Sequence, residues 1–302
     1  MLAAGILTQA GSARAQNAWS HQLPAKNQHV FVPTTFIPDA FVNTELSLGL
    51  GYSNSLSTDI PIFGPGGQKQ IGTVQGDLLF MTGGFEFDCA LRDWIGFTAR
   101  FDALARMGGN TASILATGLS AASRFGVGWE FRLAESDRSM FSASVEMNRT
   151  SVTAVDVATF VKEDQNLSRT VTPLFGSVQT RYARGLNDLV GISAAAGVGF
   201  GENPRDDYKS SWFWNVGGVA SFNLSQRYSV PVGLALGLRT NSYPVSVDNA
   251  SGNAWAGLLS LAYMGRPDFA LTLDTVYERV PIDYNDVAIG YIGFTVGLTY
   301  CF

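Results

Sequence analysis

Two histidines, two cysteines and a set of charged residues at alternating positions are the groups in this 302-residue sequence with chemistry to offer. Hydrolysis by an activated serine or a zinc-bound water generally uses an imidazole as base or ligand. Only His21 and His29 supply one. They stand eight apart in a segment that also holds Pro24, Pro33 and Pro38, so they do not share a helix face as a zinc pair would. Read alone, they are solvated residues of a polar N-terminal segment. Asp88, Asp93 and Asp102 gather near one turn and the next strand with no base beside them. No G-x-S-x-G elbow, phosphate loop or zinc-type cysteine pattern occurs. The sequence therefore points away from catalysis, and it asks for no metal and no cofactor. An even cysteine count permits a Cys89–Cys301 disulfide in an exported protein. Their strands are expected to have another between them, at a Cα separation beyond about 7 Å unless the turn folds inward, so the bridge is left open.

The elements that position the charges follow from a mismatch in composition. Hydrophobic residues make up 46% of the chain and charged residues only 15%. No apolar run reaches the 18 or so residues of a membrane helix. Net charge is −5, and without a basic stripe nucleic acid is not an expected partner. The dominant period is two. Residues 95–105 place Ile95, Phe97, Ala99, Phe101 and Ala103 on one side and Gly96, Thr98, Arg100 and Asp102 on the other. The same alternation recurs over 42–53, 76–88, 94–106, 123–133, 139–149, 172–184, 189–201, 211–223, 228–240, 254–264, 269–280 and 288–302.

Twelve strands of this length suit a bilayer crossed at a tilt. Short connections alternate with mostly longer ones, and an even number returns both ends to one side. The expected fold is all-β, a transmembrane antiparallel up-and-down barrel over 42–302 with short periplasmic turns. A soluble sandwich would carry an outer face rich in Lys, Glu and Thr; here the second face is Gly, Ala and Ser with sparse charge. Residues 1–15 read as the remnant of a signal peptide ending Ala13-Arg14-Ala15, and 16–41 as a periplasmic tail. That tail is expected to meet a periplasmic or cell-surface partner, or to enter the barrel.

By parity Glu45, Glu86, Arg100, Asp102, Arg124, Glu130, Arg132, Glu146, Arg181, Arg239, Asp274 and Glu278 face the lumen. They either brace the wall as ion pairs or line a conduit for small polar or amphipathic solutes. Their near balance argues against strong ion selectivity. Stretches 111–122 and 152–161 are apolar and helix-compatible, suited to narrowing the lumen from the outer loops. Aromatic residues near strand ends, such as Trp94, Tyr228, Trp212 and Trp255, fit two interfacial girdles.

The chain ends on Phe302, preceded at alternate positions by Tyr300, Leu298 and Val296. This resembles the C-terminal strand of Gram-negative outer-membrane β-barrel proteins, the porin and transporter-like class. The resemblance implies that Leu298, Tyr300 and Phe302 are read by the barrel-assembly machinery. It also implies an outer-membrane location among lipid and lipopolysaccharide. It identifies no particular family. The leading expectation is a channel; the alternative is a structural or assembly-partner barrel with a plugged lumen.

Overall fold

The computed structural model describes residues 21–56, 59–63, 70–75, 78–107, 118–155, 168–203, 209–242, 253–281 and 288–302. Twelve long strands run in chain order: β1 Glu45–Ser55, β2 Leu79–Arg92, β3 Ile95–Met107, β4 Gly118–Glu135, β5 Ser139–Val155 and β6 Leu174–Gly185. They continue as β7 Val190–Asn203, β8 Lys209–Asn223, β9 Val232–Ser242, β10 Asn253–Arg266, β11 Phe269–Pro281 and β12 Ala288–Cys301. Each pairs antiparallel with its neighbours in sequence, and β12 closes on β1 through Leu298↔Leu48 and Cys301↔Glu45. Closure gives each of the twelve a partner on both sides, which a wall in lipid requires.

Where the apolar face points separates a membrane barrel from a soluble one. Leu50, Leu236, Leu238, Leu259, Leu273 and Val296 are all exposed on the outside. The alternate positions, such as Ser144, Ser221, Ser260 and Thr272, are buried inside. This inversion suits lipid outside, where only every second residue must be apolar. Trp94, Tyr228 and Tyr300 are exposed near the short turns, and Tyr52, Trp212 and Trp255 towards the other end. Among the described residues no helix is long and apolar enough to cross a membrane.

Two expectations change. The stretches 111–122 and 152–161 do not start or end as helix where described: 118–122 and 152–155 are strand. There β4 and β5 extend their ladder to Gly118↔Val155, and inter-strand hydrogen bonds with β-branched Val152 and Thr153 override a local helical pattern. The remainders, 111–117 and 156–161, lie outside the described residues. The connection read as 224–227 runs to Pro231. It contains a one-turn helix Ser225–Tyr228, which ends on left-handed Ser229, and β9 starts only at Val232.

Candidate functional site

A twelve-strand wall with strands ~4.8 Å apart and tilted ~40° closes at a backbone diameter of roughly 24 Å. An inner face of Gly, Ala and Ser cannot fill such a space. The chain fills one half with its own N-terminal segment. Residues 21–44 take the second of the two courses open to the tail: they enter at the short-turn end, climb the inner wall to about mid-height and return to start β1. The segment reads as polar. Its apolar content decides otherwise: Leu23, Phe31, Val32, Phe36, Ile37, Phe41 and Val42 are all buried.

The entry is a two-residue hairpin. Asn27 and Gln28 both take positive φ, joining Ala25–Lys26 to His29–Val30 as a type I′ turn. The Asn27 amide donates to the Asp137 carbonyl at 2.9 Å, and its side chain donates to the carbonyls of Gly185 and Leu186 at 3.2 and 3.1 Å. Lys26 pairs with Glu135, which Arg132 also holds at 2.7 Å. Above the hairpin, Val32, Phe36 and Ile37 pack in one cluster with Ala195, Val219, Ala235, Leu258 and Met264. Phe31, Ala40 and Phe41 pack with Met140 and Ala183.

The wall is hollowed to receive the segment. A Cβ on Gly185 would stand 2.1 Å from the Lys26 carbonyl oxygen, and one on Gly191 2.4 Å from the His29 ring. On Gly233 it would meet Val32 at 2.5 Å, on Gly217 Ile37 at 2.7 Å, and on Gly237 the Phe36 ring at 2.9 Å. Close approach of backbone and plug is the reason these inward positions are glycine.

His29 corrects the view of a solvated tail histidine, since it is fully buried inside the barrel. Its Nε2 lies 3.1 Å from Ser221 Oγ and its Nδ1 3.3 Å from the Asp188 carbonyl. A carbonyl only accepts, so Nδ1 carries the proton and Nε2 accepts from the Ser221 hydroxyl. Ser221 Oγ in turn accepts the Val32 amide at 3.0 Å. Burial holds the imidazole pKa below its ordinary value, with the Asp188 carbonyl and carboxylate pulling the other way. The serine–histidine contact has the form of a nucleophile and base. Both groups are sealed under the segment, however, and the serine oxygen is already engaged. The contact fastens the segment to the wall.

Two lumen arginines hold the upper part. Arg239 donates to the Phe36 carbonyl at 3.1 Å, lies 4.8 Å over the Phe36 ring, and approaches Glu278 at 3.6 Å. Arg181, 3% exposed, pairs with Glu130 and with Glu146 at 3.0 Å. It also donates to Ser144 Oγ at 2.9 Å and to the Asp39 carbonyl at 3.3 Å. Of the other parity-assigned residues, Arg100 pairs with Glu86 and Arg124 with Asp102 at 2.6 Å. Asp274 is buried with Oδ1 unpartnered. Glu45 stands beside the Cys301 thiol at 3.9 Å.

Parity over β2 also puts Asp88 inside with Glu86, although the sequence reading left it at the rim; it is buried beside the segment. Lys26, His29 and Asp39 escaped because nothing in their local pattern marks a strand. The lumen is thus more acidic than the twelve charges implied. The cysteines are free: Cys301 faces inward, while Cys89 alternates with buried Asp88 and Ala90 and faces out. A bridge would have to pass through the wall.

No protein-family model matches the sequence, and a search of curated proteins returned no match. Solved structures do match. The translocator domain of the autotransporter NalP from Neisseria meningitidis aligns with TM-score 0.52 at 9% identity over 86% of this chain and 89% of that one. An outer membrane channel from Pseudomonas putida F1 gives 0.49 at 13% identity over 90% and 100%. A FadL homologue from Pseudomonas aeruginosa gives 0.46 at 10% identity over 93% and 99%. At such identities the likeness is one of fold: the chain is a closed antiparallel barrel of the kind found in bacterial outer-membrane proteins.

Proposed function

We propose that this protein is an outer-membrane channel for small polar or amphipathic solutes, held shut by its own N-terminal segment. The observation that carries the proposal is how the lumen is closed. Bulky wall side chains would make a permanent core. Here the wall under the segment is hollowed by glycines, and the obstruction is a separate stretch of chain, seated by apolar packing, the Lys26–Glu135 ion pair, a few hydrogen bonds and two arginines. Such a plug can leave without unpairing a single wall strand. Above it the inner face mixes Asn148, Gln179 and Asn215 with the Phe175–Phe213 and Phe80–Tyr291 aromatic pairs. That lining suits a solute with both polar and apolar parts.

In this reading the short turns, the plug entry and the C-terminus face the periplasm, and the longer connections face outward. The barrel-assembly machinery engages Leu298, Tyr300 and Phe302 before β12 closes on β1, and lipid with lipopolysaccharide surrounds the finished wall. A second reading rests on the same plug: with its lumen charges paired, the barrel stays closed and serves a structural or assembly role.

A cross-link separates the two. A Gly233 Cβ would lie 2.5 Å from Val32 Cγ2, so Val32→Cys with Gly233→Cys ties plug to wall. In planar bilayers the oxidised protein is expected to be silent and the reduced protein to open intermittently. Equal conductance in both forms would mean that solutes do not pass by the plug.

A further inference from the structure

Plug and wall enclose a residual cavity of about 70 Å³, room for a few waters at most. Its lining holds five carboxyl groups: Asp39 from the plug, Glu45 from β1, Glu86 and Asp88 from β2, and Glu130 from β4. Only two guanidiniums line it, Arg100 from β3 and Arg181 from β6. Arg100 is committed to Glu86, and Arg181 to Glu130 and to Glu146 of β5. Among the described residues Asp39 Oδ1 accepts the Phe41 amide at 2.8 Å, Glu45 meets only the Cys301 thiol of β12, and Asp88 Oδ1 is buried without a hydrogen-bond partner. Three carboxyls without a counter-ion in so small a volume cannot all be ionised without a large penalty.

We propose that this cavity is a proton-operated latch: the plug stays seated while its carboxyls share protons, and is released as they ionise. The proposal rests on residues 21–44 being a movable plug. Asp39 is the only one of the five that leaves with the plug, so its charge state couples directly to seating. Burial pushes its carboxyl up to about 7, with the Glu130 charge acting in the same sense and the Phe41 amide and Arg181 opposing. A released Asp39 returns to an ordinary value near 3.9. Seating is therefore strongest below about pH 4 in this respect and weakens as pH rises to about 7. His29 works on the other flank: seated it is neutral, so protonation below its ordinary value of about 6.5 favours release. Lys26, its cross-strand neighbour, stays paired with Glu135.

Hydrogen exchange of the full chain in detergent reads seating without relying on conduction. After correction for intrinsic rates, protection of residues 30–42 is compared at pH 6 and 8.5 in the wild type and Asp39→Asn. The asparagine keeps the acceptor for Phe41 but cannot ionise. Asp39 alone is expected to weaken wild-type protection by about tenfold across this range relative to the variant. Asp88→Asn, altered only in the wall, should also flatten the profile. Identical pH profiles for the wild type and both variants would overturn the latch. Protection that falls as expected in a protein that never conducts would support the latch and count against the channel reading alone.

Discussion

Replacing Arg181 with leucine is expected to destabilise the folded barrel by about 3–5 kcal/mol. This guanidinium is the shared counter-ion of Glu130 and Glu146, and all three side chains are buried. Without it two carboxylates remain in the dry half of the lumen, and Ser144 and the Asp39 carbonyl each lose a donor. The cost of an uncompensated buried charge exceeds what the pair itself contributes, so the loss should be curable. Adding Glu130→Gln and Glu146→Gln to Arg181→Leu removes the stranded charge and should restore most of the stability. Urea unfolding of the refolded barrel in micelles checks both halves. A single variant within about 1 kcal/mol of wild type would show that water or protons already neutralise the carboxylates. A triple variant as unstable as the single one would place the effect in packing.

A second large effect is expected from the glycines under the plug. Gly185→Val together with Gly191→Val sets one side chain against the Lys26 backbone and another against the His29 ring. Overpacking costs roughly 1–3 kcal/mol per site. Here the cost falls on the seated plug alone, because the barrel wall gains side chains pointing into an otherwise empty lumen. Lys26 is nearly buried when seated, so trypsin reports the change. The double variant should be cut after Lys26 rapidly and conduct continuously, with the β-barrel itself intact. Gly218 faces outward, and its nearest neighbour to an added Cβ is the Ser193 carbonyl at an ordinary 3.5 Å. Gly218→Ala should therefore behave as wild type. If the double variant remains as resistant to trypsin as wild type, the glycines are not there to admit the plug.

The wall was legible in the sequence because lipid outside and polar lumen inside impose one rule on every strand. All twelve strands follow from parity at positions such as Arg100, Asp102 and Glu130. The plug stands in the sequence only as the alternative to a docking tail, because no such rule governs a segment that packs irregularly against small residues. Its one visible signal is apolar density, eight large hydrophobic side chains from Leu23 to Val42, in a segment that also holds three prolines and two histidines. The abundance of inward glycine was the complementary signal. Gly185, Gly191, Gly217, Gly233 and Gly237 are the imprint of the plug. His29 illustrates the same limit: its type was noticed, but its burial depends on Ser221, nearly two hundred residues away.

In the channel reading residues 21–44 keep a wide barrel closed. Single-channel recording of the intact chain beside a variant lacking those residues tests it most directly. The account predicts that the intact protein is nearly silent and the deletion variant conducts steadily, at roughly tenfold or more the mean current. A deletion variant that folds into the barrel and stays silent would contradict it, showing that the lumen is closed by the wall itself.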